Sequence, residues 1–289
     1  MTSRNKTINL TEEDKRRLER QLSMNAGTAP NTICADSLTM SWPQPVFDLL
    51  FLDPPYNLSK NFGKINFKRR EIDEYTKYLD NIFGCFDCAL KEDASIYICG
   101  DWLSSVSIFE AASRRWVCRN RITWEREKGR GAKTNWKNAH EDVWFFTKGR
   151  NYKFYVDRVK FRRKVIAPYK QDGKAKDWNE ETGFRDTYPP NIWRESVPFW
   201  SMPENTNHPT QKPESLLAKI ILASSDEGDY ILDPMCGVGT TGVVCKKLKR
   251  NFMQIDIDHE HCMTALRRLE MAEEDSRISG YSDGVFRRH

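Results

Sequence analysis

The chain has 289 residues and a mass of 33.9 kDa, enough for a full α/β core plus an insertion. At 39% hydrophobic and 30% charged residues it reads as soluble and globular, and no apolar run approaches the roughly 18 residues of a membrane-spanning helix. Residues 1–9 are polar and lack the apolar stretch of a signal peptide, so a cytoplasmic protein is expected, mildly basic at net charge +5.

Residues 11–22 read as a short peripheral helix, with Thr11 as N-cap and Glu12, Glu13 and Asp14 in the first turn. The core begins at Thr32. Residues 46–52 are an apolar run of strand length between Pro45 and Asp53, the pattern of a parallel strand buried on both faces. A helix is then expected over 71–90, a strand over 95–99, a helix over 103–113, and strands over 121–124 and 141–146. Residues 213–225 read as a helix with proline in its first turn. A strand over 230–233, a helix over 240–248, a strand over 252–256 and a helix over 258–271 follow. Strands alternating with helices give an α/β fold with a doubly wound, mostly parallel sheet. Residues 151–207 break the pattern: they are rich in Lys, Arg, Tyr, Trp and Pro, show little periodicity, and read as an insertion. The tail after Ala272 is polar, contains Gly280 and Gly284, and is expected to be mobile. The expected organisation is therefore a peripheral N-terminal helix (1–30), a core (31–150 and 206–273), an insertion (151–205) and a flexible tail (274–289).

Eight cysteines fall without paired spacings, as reduced thiols in a cytosol would. Cys85 and Cys88 form a lone CxxC in a helical segment, and no second pair or nearby histidine completes a zinc set, so no metal is expected. Charge is uneven. Residues 114–170 hold eighteen Lys and Arg against five acids, which suits a phosphate-binding face as well as a solvated basic surface.

Three segments carry chemistry. Asp53-Pro54-Pro55-Tyr56 directly follows the apolar strand, and ligand sites in open α/β sheets lie at the carboxyl ends of strands. The tetrapeptide suits an exocyclic amine, whose lone pair is delocalised into its ring. The Asp53 carboxylate and the Pro54 carbonyl can both accept from that amine, localising the lone pair and stabilising the positive charge that develops on methylation. Proline fixes φ and so holds the carbonyl in place; Tyr56 offers a π face for an unstacked base. A plain proline turn is the alternative. Asp233-Pro234-Met235-Cys236-Gly237-Val238-Gly239-Thr240-Thr241 also follows a strand and opens a helix, with glycines that let a ligand approach the backbone. Asp256 ends the next strand at close to the spacing of a ribose-binding acid in nucleotide-binding βαβ units. No P-loop lysine follows, which disfavours a triphosphate. In Asn207-His208-Pro209-Thr210-Gln211-Lys212-Pro213, Thr210, Lys212 and a helix N-terminus can hold a carboxylate, or simply cap the helix.

Together these segments resemble the β class of DNA amino-methyltransferases, the N6-adenine and N4-cytosine family. There the catalytic tetrapeptide precedes the glycine motif, a circular permutation of the usual order, and here Asp53 to Tyr56 precede the basic insertion, then His208 to Pro213, then Asp233 to Thr241. The resemblance covers most of residues 32–270. It implies a Rossmann-like methyltransferase core with an inserted target-recognition region. It implies an S-adenosylmethionine pocket lined by Asp53, His208, Thr210, Lys212, Asp233, Pro234, Met235, Cys236, Gly237, Gly239, Thr240, Thr241 and Asp256, with Asp36 near the cofactor adenine. It places Trp124 near the target base. Met235 stands where the family usually has Phe, and Asp256 where Glu is commoner. Residues 126–137 look like a loop that orders on DNA, giving Arg126, Lys128, Arg130 and Lys133 as substrate contacts, while residues 151–205 read base edges.

The expected activity is transfer of a methyl group to adenine N6 of a flipped-out base, without a covalent enzyme intermediate, in a restriction-modification or related system. DNA is the expected partner, with a homodimer and a functional link to a restriction endonuclease as further expectations. No Pro-Cys motif of the cytosine-C5 type accompanies the set. Cytosine-N4 methylation uses the same chemistry, but a leading Asp resembles the adenine enzymes more often than a leading Ser. A silent DNA-binding module has no need of the intact tetrapeptide, and the basic insertion favours DNA over a protein substrate.

Overall fold

In a computed structural model, residues 5–24, 31–42, 44–62, 65–126, 133–165, 170–175, 178–179 and 181–287 are described. The chain begins with α1 (Glu12–Met24), β1 (Thr32–Cys34), β2 (Phe47–Leu52), the small hairpin β3 (Lys60–Phe62) and β4 (Ile65–Phe67), and α2 (Ile72–Asp87). It continues through β5 (Leu90–Gly100), α3 (Ser105–Ala112), β6 (Val117–Glu125) and β7 (His140–Thr147). Short strands follow: β8 (Phe161–Lys164), β9 (Lys170–Gln171), β10 (Lys174–Ala175), β11 (Trp178–Asn179), β12 (Phe184–Thr187) and β13 (Ile192–Trp193). The chain closes with α4 (Glu214–Ser224), β14 (Tyr230–Asp233), α5 (Thr240–Lys247), β15 (Asn251–Asp256), α6 (His259–Glu274), β16 (Tyr281–Ser282) and β17 (Val285–Arg287).

One eight-stranded sheet organises these elements, in the order β1-β15-β14-β2-β5-β7-β6-β13. The run from β1 to β5 is parallel, and β7 is antiparallel to both neighbours. Every residue of β2 is buried, and its side chains alternate between two cores. Leu49 and Phe51 join the layer of α4, α5 and α6; Phe47, Leu50 and Leu52 join the layer of α2 and α3. In β5, Tyr97 and Cys99 face the first layer and Ile96 and Ile98 the second. A strand covered on both faces needs apolar residues at successive positions, which explains the run at 46–52. Each such side chain contributes about 1.5–3 kcal/mol by burial. The doubly wound α/β architecture is therefore the observed one. Among the described residues no helix is long and apolar enough to cross a membrane.

Boundaries differ where polar residues hide a strand. β5 starts at Leu90 rather than 95, and its early part carries Lys91, whose ammonium lies 2.8 Å from the Asp48 carboxylate of β2. β6 starts at Val117, with mostly half-exposed or exposed residues that carry no apolar signal. The reciprocal Thr11–Asp14 cap opens α1, 3.1 Å in each direction. That helix is more than peripheral: Leu18 is fully buried, and Arg17 pairs with Glu270 of α6.

The insertion and the tail fold together. A five-stranded sheet runs β11-β12-β8-β17-β16, so the tail supplies two of its strands. The tail expected to be mobile instead makes a hairpin, and β17 pairs in parallel with β8. Phe286 is only 1% exposed and lies 4.6 Å from the Tyr281 ring. Two buried side chains in a polar tail are too short a pattern to announce a strand pair. The insertion also returns to the main sheet, where β13 pairs with β6.

Candidate active site

β1, β15, β14 and β2 are neighbours in the sheet, and Asp36, Asp256, Asp233 and Asp53 lie at or just beyond their carboxyl ends. They line one cleft of about 310 Å³. The same cleft is lined by Pro54, Pro55, Tyr56, His208, Thr210, Lys212, Pro234, Met235, Cys236, Gly237, Thr240 and Thr241. Segments far apart in sequence thus meet at one sheet edge, where parallel strands deliver their loops.

The glycine turn is built by its acids. Gly237 has φ +53, its N–H donates to Asp256 Oδ2 at 2.8 Å, and an added Cβ would sit 3.2 Å from the His208 ring. Gly239 is placed differently. It is not among the cleft-lining residues, and an added Cβ would meet Ala265 at 2.6 Å and the Gln254 amide at 2.8 Å. Its lack of a side chain serves the packing of α5 against α6 and β15, rather than approach of a ligand. Asp233 accepts from the Thr241 hydroxyl and from the Met235 N–H. Burial pushes its carboxyl up to about 7 against those donors. Asp36 caps a short 3-10 turn through the Leu38 N–H, 3.0 Å away.

Two histidines flank Asp256. His261 Nδ1 is 3.2 Å from Asp256 Oδ1, and its ring meets His208 edge-on at 4.6 Å. Burial, then the nearby His261 and Lys212, lower the His208 imidazole to about 4, so it is neutral at neutral pH. Burial also disfavours the His261 cation, but the Asp256 hydrogen bond and charge outweigh it and raise that imidazole above its ordinary value. His208 Nδ1 is buried and has no hydrogen-bond partner among the described residues.

The tetrapeptide sits in a charged quartet. Lys212, only 7% exposed, pairs with Asp53 rather than standing open to a cofactor carboxylate. The Tyr56 hydroxyl lies 3.0 Å from Asp53 Oδ1 and 2.9 Å from Glu141 Oε2. Glu141 also pairs with Arg126 and is 3.7 Å from Lys212 Nζ. Burial and then the Asp53 charge push the Tyr56 hydroxyl well above the ordinary phenol range, so it remains protonated. Glu141 and His261 were not expected from the sequence. The signal for Glu141 is an acidic pair, Glu141-Asp142, at the mouth of an otherwise apolar strand.

The expected substrate contacts separate. Trp124 is 1% exposed, within the core, and its indole N–H donates to the Glu195 carbonyl at 2.8 Å, so no face is open to a base. Its position on a strand shared with β7 and β13 encloses it. Arg126 is tied to Glu141, Lys133 is exposed, and Lys128 and Arg130 lie outside the described residues.

Known proteins share these features. The family model for DNA methylase matches residues 47–267. The chain is 32% identical to DNA adenine methyltransferase YhdJ of Escherichia coli (strain K12) over 237 residues, 80% of this chain and 78% of that protein. It is 32% identical to type II methyltransferase M.HpaI of Haemophilus parainfluenzae over 241 residues, 81% of this chain and 70% of that one. In fold it is similar to the cytosine-N4-specific PvuII DNA methyltransferase, with a TM-score of 0.62 at 18% identity, covering 84% of this chain and 89% of the other. A DNA modification methylase fold from Thermus thermophilus, solved with S-adenosyl-L-methionine, gives 0.53 at 16% identity, covering 89% and 97%. The cleft at the ends of β1, β15, β14 and β2 and the family match across β2 to α6 agree, and this chain belongs to the DNA methylase family.

Proposed function

We propose that this chain is a site-specific DNA methyltransferase that moves a methyl group from S-adenosylmethionine to the N6 amino group of adenine. One observation carries the reading: the Asp53 carboxylate and the Gly237–Asp256 turn open into a single cleft. The residues suit that cofactor on their own atoms. The Asp256 carboxylate can meet ribose hydroxyls, a Cβ at Gly237 would crowd the wall, and the unpartnered His208 Nδ1 lies in that wall. Bound there, S-adenosylmethionine supplies a methyl group on a sulfonium, ready for direct displacement.

Asp53 and the Pro54 carbonyl accept from the target amine, localise its lone pair and stabilise the charge that forms on nitrogen. The Tyr56 ring gives the base a surface. A paired base cannot reach Asp53, so the target is flipped out of the duplex. The sheet of the insertion borders a second cleft, lined by Arg162, Arg163, Lys164, Trp178 and Tyr188 among others, and it is the surface for target recognition. Relatives named type II methyltransferases support a role beside a restriction endonuclease, and a homodimer belongs to the same reading.

The test is to incubate the chain with labelled S-adenosylmethionine and mixed DNA, then identify the modified nucleoside and its sequence context. N6-methyladenine in one context supports the proposal; N4-methylcytosine corrects the base; no incorporation rejects it. Light scattering of the purified chain reads the oligomeric state.

A further inference from the structure

We propose that Glu141 is a positioning residue that holds the Tyr56 hydroxyl and the Lys212 ammonium when the target amine claims the Asp53 carboxylate. The proposal rests on the methyltransferase reading above. It starts from a conflict in the site. Both oxygens of Asp53 are engaged, Oδ2 by Lys212 and Oδ1 by the Tyr56 hydroxyl. An amine that must be recognised by Asp53 meets a carboxylate whose best lone pairs are taken. Either partner then needs somewhere else to go.

Glu141 is that place for both. It is 4% exposed and does not line the cleft, so it acts from behind Tyr56. Its Oε2 lies 2.9 Å from the Tyr56 hydroxyl, no farther than Asp53 does. A hydroxyl has one proton and can donate it to only one of the two carboxylates at a time. Moving it to Glu141 frees Asp53 Oδ1 without moving the ring. The same Oε2 is 3.7 Å from Lys212 Nζ, so the buried ammonium keeps a counter-charge when Asp53 turns to the amine. An unpaired buried cation would otherwise oppose the positive charge forming on the methylated nitrogen.

Arg126 completes the balance, pairing with Oε1 of Glu141. Asp53 and Glu141 thus face Arg126 and Lys212, with the Tyr56 hydroxyl between the two acids. Arg126 is also the residue from which the basic segment 126–137 departs. The carboxylate that frees Asp53 is therefore anchored to the root of the expected DNA-contacting segment.

The experiment is a double-mutant cycle with E141A, E141Q and Y56F, read by single-turnover methylation at saturating DNA and cofactor and by separate dissociation constants for each. With the hydroxyl and ammonium both left on Asp53, E141A lowers the single-turnover rate by about tenfold or more, the scale of a lost hydrogen bond to a charged group. Cofactor and duplex affinities stay within about threefold, because Glu141 touches neither. In the Y56F background the effect of E141A shrinks by about threefold or more, as coupled residues require. E141Q keeps an acceptor for the hydroxyl but no charge for Lys212, and falls between wild type and E141A. An unchanged rate, an equal loss in both backgrounds, or a loss confined to binding overturns the proposal. If E141A does not fold, E141Q is read through the same cycle, with cofactor binding as the proof of folding. A wild-type chain that methylates nothing rejects the methyltransferase reading instead, so the two failures are distinguishable.

Discussion

Asp53 is held between a cation and a hydroxyl, and its charge is the group that meets the amine. Replacing it by asparagine keeps the size and one acceptor but removes the charge. D53N should lower single-turnover methylation by about 10²–10³, the loss typical of one preorganised electrostatic group. Cofactor affinity should change little, because the turn at Gly237 is held by Asp256. Calorimetry beside a methylation assay reads both, and near-normal turnover would remove Asp53 from the chemistry. Asp233 behaves differently, because its carboxyl is buried and raised from 3.8 to about 7. In the fold it keeps its proton where the unfolded chain has lost it. From about pH 4 to about pH 7 the folded state therefore binds more protons, and this group's contribution to stability falls as pH rises. D233N removes the titration and leaves an acceptor for Thr241. The stability gap between D233N and wild type, from urea melts of the cofactor-free chain, should grow across that window and level off above it. A gap independent of pH would show that Asp233 is not raised. The residues that touch the cleft were legible because their types are rare and their spacing is fixed by strand ends. Glu141 was not, since its partners Tyr56, Arg126 and Lys212 are brought to it by folding alone.

Elements covered on two faces announce themselves, and elements covered on one short face do not. β2, β14 and the helix α4, buried along its whole length, read directly from their apolar runs. β8, β11 and β12 mix charged and half-exposed residues, so nothing local marks them as strands. Their pairing depends on each other and on β17 from the far end of the chain. The tail hairpin is the sharpest case. Its anchor Phe286 packs beside Tyr281 and sits 5.1 Å from the buried Lys219 ammonium, which pairs with Glu195 of the insertion. F286A should destabilise this unit by about 3–5 kcal/mol, the range for a buried aromatic cut to alanine. Hydrogen exchange should then quicken in β8 and β17, while β2 and β14 keep their protection. Unchanged exchange in β8 would mean that the hairpin does not brace the insertion.

Across the whole molecule, the eighteen basic residues between 114 and 170 are not one uniform patch. Several are spent inside the protein: Arg121 on Asp142, Arg126 on Glu141, Lys153 on Asp229, Arg158 on Asp226 and Arg162 on Asp186. Composition alone could not show this, because the acids lie on other elements. Two exposed groups are left in view. Lys133 and Lys137 flank Trp136, which is 96% exposed, in the segment after β6. Arg163 and Lys164 lie on β8, at the second cleft. If the first group holds phosphates, replacing one lysine by alanine weakens binding on every duplex alike and reduces the salt slope by about one unit. If Arg163 reads a base edge, R163A costs about 1–3 kcal/mol on the cognate site and much less on a scrambled one. Affinities for both duplexes over a salt series separate the two roles. The core motifs are committed to cofactor and amine, so sequence choice has to come from a surface that they do not use, and the sheet joining the insertion to the tail is such a surface. Equal loss on both duplexes with R163A would make that sheet an electrostatic clamp and leave base reading to another part of the chain.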